Sequence, residues 1–127
     1  MRSVVLSLVA LGLMASPALA LDGQRGFLEN CSACHQKDGR GVPGAFPALA
    51  GSKVVRGDPK EPLGRILNGR GGMPAFEGEL SDPEIASILT YVRGAWGNKA
   101  GPILAEQVAG QRKTARRENA KASLQAH

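Results

Sequence analysis

31-CSACH-35 holds every cysteine of this 127-residue chain. Two thiols stand three positions apart, and a histidine follows at once. Three chemistries use such a run: a redox dithiol, half of a metal site, or a covalent anchor for a larger group. The residues around it decide among them.

The first consideration is compartment. Residues 1–20 read MRSVVLSLVALGLMASPALA. Arg2 gives a positive start, Val4 to Ala15 form a short apolar run, Pro17 breaks it, and Ala18-Leu19-Ala20 is a small-x-small cleavage site. That order is a secretory signal cleaved after Ala20. The alternative is an uncleaved N-terminal anchor, although the run is short for a bilayer. Export to the periplasm, with no transmembrane anchor left after cleavage, places both thiols in an oxidising compartment. A Cys31–Cys34 disulfide would close too short a loop to stabilise much. A thioredoxin-type pair belongs in a βαβ setting that this chain lacks. A structural zinc needs four ligands, and only one cysteine pair and one nearby histidine are available. CxxCH, however, is the attachment signal for c-type haem. The expectation is therefore one covalent haem c, held by Cys31 and Cys34 as thioethers, with His35 bound to the iron.

The second axial ligand follows by elimination. Beyond the signal the chain has one other histidine, His127, and one methionine, Met73. Met73 lies in 68-NGRGGMPAFEG-78. Gly71 and Gly72 let the backbone turn sharply there, and Pro74 stiffens the exit. A methionine can be plain core filler. The glycine-rich setting and the lack of competitors favour it as the second ligand. With His35 and Met73 both bound, the iron has no open position. One-electron transfer remains, with the thioether favouring ferrous iron. On this reading the chain is an electron carrier rather than an enzyme.

The scaffold pattern is all-α. A short helix is expected over 22-DGQRGFLENC-31, with Asp22 as N-cap and Gly23, Phe27 and Cys31 on one face. The stretch 36-QKDGRGVPGAFPALAGS-52 is too rich in glycine and proline for regular structure. A second short helix is expected from Pro59 to Asn68, with Leu63, Ile66 and Leu67 apolar. The next opens at 81-SDPE-84, a capping box with proline in the first turn. It carries Ile85, Ile88, Leu89, Val92 and Trp96 and is closed by Gly97.

In this order, CSACH, 47-PALAG-51, 71-GGMPAF-76 and a closing helix with 91-YVRGAW-96, the chain resembles the class I cytochrome c family over residues 22–97. The resemblance implies the class I fold of short helices and loops wrapped around one haem. It implies that Gly23 and Phe27 meet Ile88 and Tyr91 where the first and last helices cross. It also implies that Pro47 offers its carbonyl to the N–H of the axial histidine, a contact that fixes the ring. Arg40, Arg65 and Arg70 are candidates to neutralise the haem propionates or are solvated surface charges. The stretch from Asn68 to Pro102 is most similar to small periplasmic cytochromes and fused cytochrome domains that serve bacterial dehydrogenases, reductases and oxidases.

The expected organisation is a signal at 1–20, a mono-haem domain at 21–97, and a basic extension at 98–127, partly helical or disordered. The full chain carries +5. Residues 21–105 hold ten basic and nine acidic side chains, whereas 106–127 hold five and two, so the tail is the basic part. No aromatic residue interleaves those charges, which argues against a nucleic-acid partner. The tail reads either as a docking arm for an acidic partner or as a solubilising terminus. The expected partners are a redox donor and acceptor: a dehydrogenase, a reductase or a terminal oxidase. Two other roles stay open: the haem subunit of a larger oxidoreductase, and a ligand-binding or catalytic haem protein with a displaceable Met73.

Overall fold

The computed structural model describes residues 17–126, so residues 1–16 of the expected signal, and His127, lie outside the described residues. Six helices follow one another: α1 Pro17–Asn30, α2 Ser32–His35, α3 Lys53–Arg56, α4 Lys60–Asn68, α5 Asp82–Gly94 and α6 Ala105–Gln125. Among the described residues there is no strand, only two isolated antiparallel bridges, Val42 with Phe46 and Arg70 with Met73. None of the described helices is long and apolar enough to cross a membrane.

The frame is the crossing of α1 over α5. Its closeness comes from two glycines on one face of α1. A Cβ on Gly23 would collide with the Ser87 carbonyl, and one on Gly26 would lie 2.6 Å from Ile88 Cγ1. Phe27, fully buried, then fits between Tyr91 and Trp96, with ring centroids 5.6 and 5.0 Å away. Three of the five aromatic residues of the chain thus form one cluster. Full burial of a side chain such as Phe27 is worth about 1.5–3 kcal/mol.

Local signals account for the helix ends. Ser81 Oγ accepts from the Glu84 amide and Glu84 Oε2 accepts from the Ser81 amide at 2.8 Å, so the expected box is formed. Pro62 sits in the first turn of α4, where its missing N–H costs nothing. The end of α5 differs from expectation. The helix stops at Gly94, before Trp96, and the chain reverses through Trp96 and Gly97, both left-handed at φ 52 and 82°. A bulky residue seldom adopts that conformation. Trp96 is held in it by its ring on Phe27 and Tyr91, and its Nε1 donates to Lys37 O at 3.1 Å.

The tail also differs. Beyond the irregular residues 98–104, the chain forms one continuous helix that packs on α4 and α5. Val108 and Ala115 on it are fully buried. They are only two apolar contacts, and one is an alanine, so the sequence of this helix shows almost no apolar face. The residue between them on the same face is Arg112, whose anchoring is polar. Val108 joins Leu63, Leu67, Ile85, Leu89 and Ile103 in one core cluster, and Phe27, Val55, Ile88 and Val92 form the other.

Candidate functional site

CSACH is one helical turn grown from the end of α1. Cys31 N donates to Phe27 O at 2.9 Å, and His35 N donates to Cys31 O at 3.0 Å. Both thiols are free and half-buried. Burial, and secondarily the neighbouring Cys34, pushes the Cys31 thiol up to about 11. Exchange chemistry needs a lowered thiol pKa. Cys31 is displaced the opposite way, which counts against a redox dithiol. Among the described residues, no three His, Cys, Asp or Glu side chains gather as a site for a metal ion.

His35 is buried, and its Nδ1 lies 2.8 Å from Pro47 O. A carbonyl only accepts, so Nδ1 carries the proton and donates. Nε2 is left with its lone pair free for a ligand bond. The loop that delivers Pro47 lacks regular structure, as expected, yet its bonds are made. Gly41 N donates to His35 O at 2.9 Å, and Gly39 O accepts from Leu49 N and Ala50 N at 2.7 and 2.9 Å. Gly39 has φ +68°, and a Cβ there would strike the Trp96 ring.

Two residues that sequence reasoning missed tie neighbouring segments to α5: Asn98, just past its end, holds this loop, and Arg93, in its last turn, holds α3 and the residue after it. Asn98 is 2% exposed; its Oδ1 accepts from Gly51 N at 2.9 Å. Its Nδ2 donates to Leu49 O at 3.1 Å and Val92 O at 2.9 Å. Arg93 is 6% exposed and donates to three carbonyls: Val55 at 2.6 Å, Gly57 at 3.0 Å and Gly101 at 2.8 Å. Neither carried a signal in the sequence. One sits in a glycine-rich run, and the other reads as a surface charge at the end of a helix.

Met73 is carried on a different loop, hung from α4. Arg70 and Met73 exchange backbone bonds at 3.1 and 3.0 Å, and Phe76 N donates to Ile66 O at 2.9 Å. Gly71 takes φ +57° as the turn requires, but Gly72 does not. The close approach belongs instead to Gly69, where a Cβ would lie 2.6 Å from Met73 O. The thioether side chain is half-buried.

The three arginines separate clearly. Arg40 is 83% exposed beside Asp38, and Arg70 is exposed. Arg65 is different: one terminal nitrogen lies 3.7 Å from Glu61, while its Nε is buried with no hydrogen-bond partner. An unsatisfied buried N–H of a cation suits an anionic group. Two free thiols and an imidazole Nε2 left for a ligand, on one turn, fit a covalently attached haem, and the orphaned guanidinium N–H on α4 suits a carboxylate.

Comparison with known proteins gives the same direction. Residues 18–92 match the family model described as cytochrome c oxidase, cbb3-type, subunit III. Cytochrome c-552 of Thermus thermophilus is 34% identical, over 80% of this chain and 82% of that protein. Cytochrome c6 of Leptolyngbya boryana is 39% identical, over 58% of this chain and 88% of its own length. The cytochrome c subunit of the quinone alcohol dehydrogenase of Gluconobacter oxydans is 35% identical over 68% of this chain. The chain spans only about a fifth of that subunit, 21%.

Proposed function

Because this chain belongs to the cytochrome c family, whose members carry electrons on a covalently bound haem c, we propose that Cys31 and Cys34 are its thioether anchors and that His35 and Met73 are its axial ligands. Bound there, the haem supplies a site that takes up and gives back one electron without making or breaking a bond. The protein residues do the rest. Pro47 O fixes the His35 tautomer and ring plane, Arg65 offers its orphaned N–H to a propionate, and Met73 closes the second position against other ligands.

The observation that carries this reading is the His35 Nδ1 to Pro47 O bond of 2.8 Å on the same turn as both free thiols. It leaves one nitrogen committed to the protein and the other available to iron. The test is the covalent link itself. The holoprotein purified after export should keep its haem through acid–acetone extraction, and Cys31→Ala with Cys34→Ala should release it. Haem stripped from the unaltered protein would end the proposal.

We propose a leader at 1–20, a haem domain at 21–97 and a basic extension at 98–127, whose helix α6 packs against α4 and α5. We place the carrier in the periplasm, working between a redox donor and an acceptor of the dehydrogenase, reductase or oxidase kind. The second reading, a haem subunit within a larger oxidoreductase, is favoured by the dehydrogenase subunit that the chain matches over part of its length. Purification from the periplasm in mild detergent separates the two. A free carrier elutes alone, and a subunit elutes with its dehydrogenase.

A further inference from the structure

The last helix meets the segment after Met73 at one side chain. Arg112 has a side chain only 12% exposed, on the same face of α6 as the fully buried Val108 and Ala115. Its Nε donates to Asp82 Oδ1 at 2.7 Å. One terminal nitrogen donates to Leu80 O at 2.8 Å, and the other donates to Glu77 O. The Glu77 carboxylate lies 3.8 Å from Arg112 and accepts from Arg116 Nε, one turn further along, at 2.6 Å.

All these acceptors fall within 77–82, the segment that joins the Met73 loop to α5 together with the first residue of that helix. The near end of that loop is held by α4, through the Phe76 amide on Ile66 O at 2.9 Å. Between Phe76 and Leu80 the backbone bonds only as a single turn, the Glu79 and Leu80 amides on Phe76 O at 3.1 Å each. The far end is held to the body of the protein by the capping box at Ser81 and by Arg112. Charge-assisted bonds in a half-dry setting are about twice as strong as neutral ones. Arg112 makes three of them, to two carbonyls and a carboxylate, so it is the stronger hold.

We infer that Arg112 is a positioning residue for Met73: by clamping 77–82 it restrains the loop that carries the thioether and so limits how readily Met73 leaves the haem iron. This rests on Met73 being the axial ligand. A bound methionine is lost through local opening of its loop, and the rate of entry of a competing ligand follows the free energy of that opening. Breaking the Arg112 bonds is part of that opening while the clamp is intact. It is no longer part of it once the guanidinium is gone.

The experiment is imidazole binding to the ferric holoprotein, followed by stopped flow, with the weak long-wavelength ferric band of methionine-ligated haem recorded alongside. Arg112→Ala should bind imidazole about tenfold faster or more, equivalent to about 1.4 kcal/mol of lost restraint, and its band should weaken. Val108→Ala loosens the packing of α6 but keeps every Arg112 bond to 77–82, and should leave the rate within about twofold of the parent protein. Should Arg112→Ala yield no folded holoprotein, Arg112→Lys keeps the charge but not the three-way fork, and an intermediate acceleration is expected. An unchanged rate in the arginine variants, or equal acceleration by Val108→Ala, would overturn the clamp. Met73→Ala is the separate control. If that variant keeps the parent band and imidazole rate, Met73 is not the ligand, and the failure lies in the axial assignment instead.

Discussion

The imidazole of His35 has one nitrogen spoken for, and a backbone carbonyl holds it, so no side-chain exchange at Pro47 deletes that acceptor. The loop behind it is the vulnerable point. Asn98→Ala would leave Gly51 N, Leu49 O and Val92 O without the partners they now have at 2.9, 3.1 and 2.9 Å. Each unsatisfied buried group costs about 1–3 kcal/mol, and water entry recovers part of that. We expect a net loss of about 3 kcal/mol in guanidinium unfolding of the holoprotein. Met73→Ala should lower the midpoint potential and admit carbon monoxide to the ferrous form, because a thioether favours ferrous iron and fills its position. Potentiometry and a reduced spectrum with and without the gas would check both. Unchanged values would remove Met73 from the site. CSACH stands out in the sequence because its chemistry is rare, and Met73 is the proposed second ligand because the candidates are few. Asn98 and Arg93 do not stand out, because most of their partners are backbone groups on segments dozens of residues away. Pattern reading finds faces of like residues, and a lone donor matched to a distant carbonyl forms no pattern.

Among the helices, the α1–α5 crossing sets apart two glycines that look alike in sequence. The Gly23 Cβ would meet backbone, at Ser87 O, whereas the Gly26 Cβ would meet the side chain of Ile88. Backbone cannot swing away, so Gly23→Ala must spread the helices and should cost about 1–3 kcal/mol. Gly26→Ala must displace the buried, β-branched Ile88 at Cγ1, yet a side chain can repack where backbone cannot, so it should cost less than Gly23→Ala. Thermal unfolding of the two variants side by side decides this, and equal losses would refute the distinction. The start of α5 offers a pH test. Glu84 is held below the ordinary carboxylate value of 4.5, first by the Ser81 hydroxyl and then by the Ser81 amide. A carboxyl lowered by folding adds stability above its unfolded pKa and loses it as pH falls through the folded one. Glu84→Gln should therefore be less stable than the parent at neutral pH, and the gap should close as pH falls below 4.5. A gap that stays constant down to strong acid would mean the charge of Glu84 contributes nothing. The capping box and the apolar face of α5 were legible in sequence because helix ends and the helical period are local signals. The halt of α5 at Gly94 was not, because the aromatic cluster that pulls Trp96 out of the helix is tertiary.

For the molecule as a whole, the basic extension is part of the folded body and not an arm beside it. Truncation after Leu104 would remove the fully buried Val108 and Ala115 and uncover Leu63 and Leu67. It would also release Glu77, Leu80 and Asp82 from Arg112. Burial of one valine and loss of a charge-assisted network together suggest about 3 kcal/mol or more. The shortened protein should unfold at clearly lower guanidinium concentration, whereas an unchanged midpoint would return the extension to a passive role. Exposed Lys113, Arg117 and Lys121 on the outer half of α6 remain free to speed encounter with an acidic partner at low salt. One last consequence comes from the other end of α5. Trp96 is the only tryptophan in the chain, and its indole is bonded to Lys37 O, two residues from His35. Haem absorbs strongly where tryptophan emits, so the holoprotein should be almost dark in the ultraviolet. Fluorescence should rise only when the chain unfolds far enough to carry Trp96 well away from the haem, or when the haem is missing. The fold has thus placed a single lamp against its own shutter, and its brightness reports whether the chain is loaded and folded around its haem.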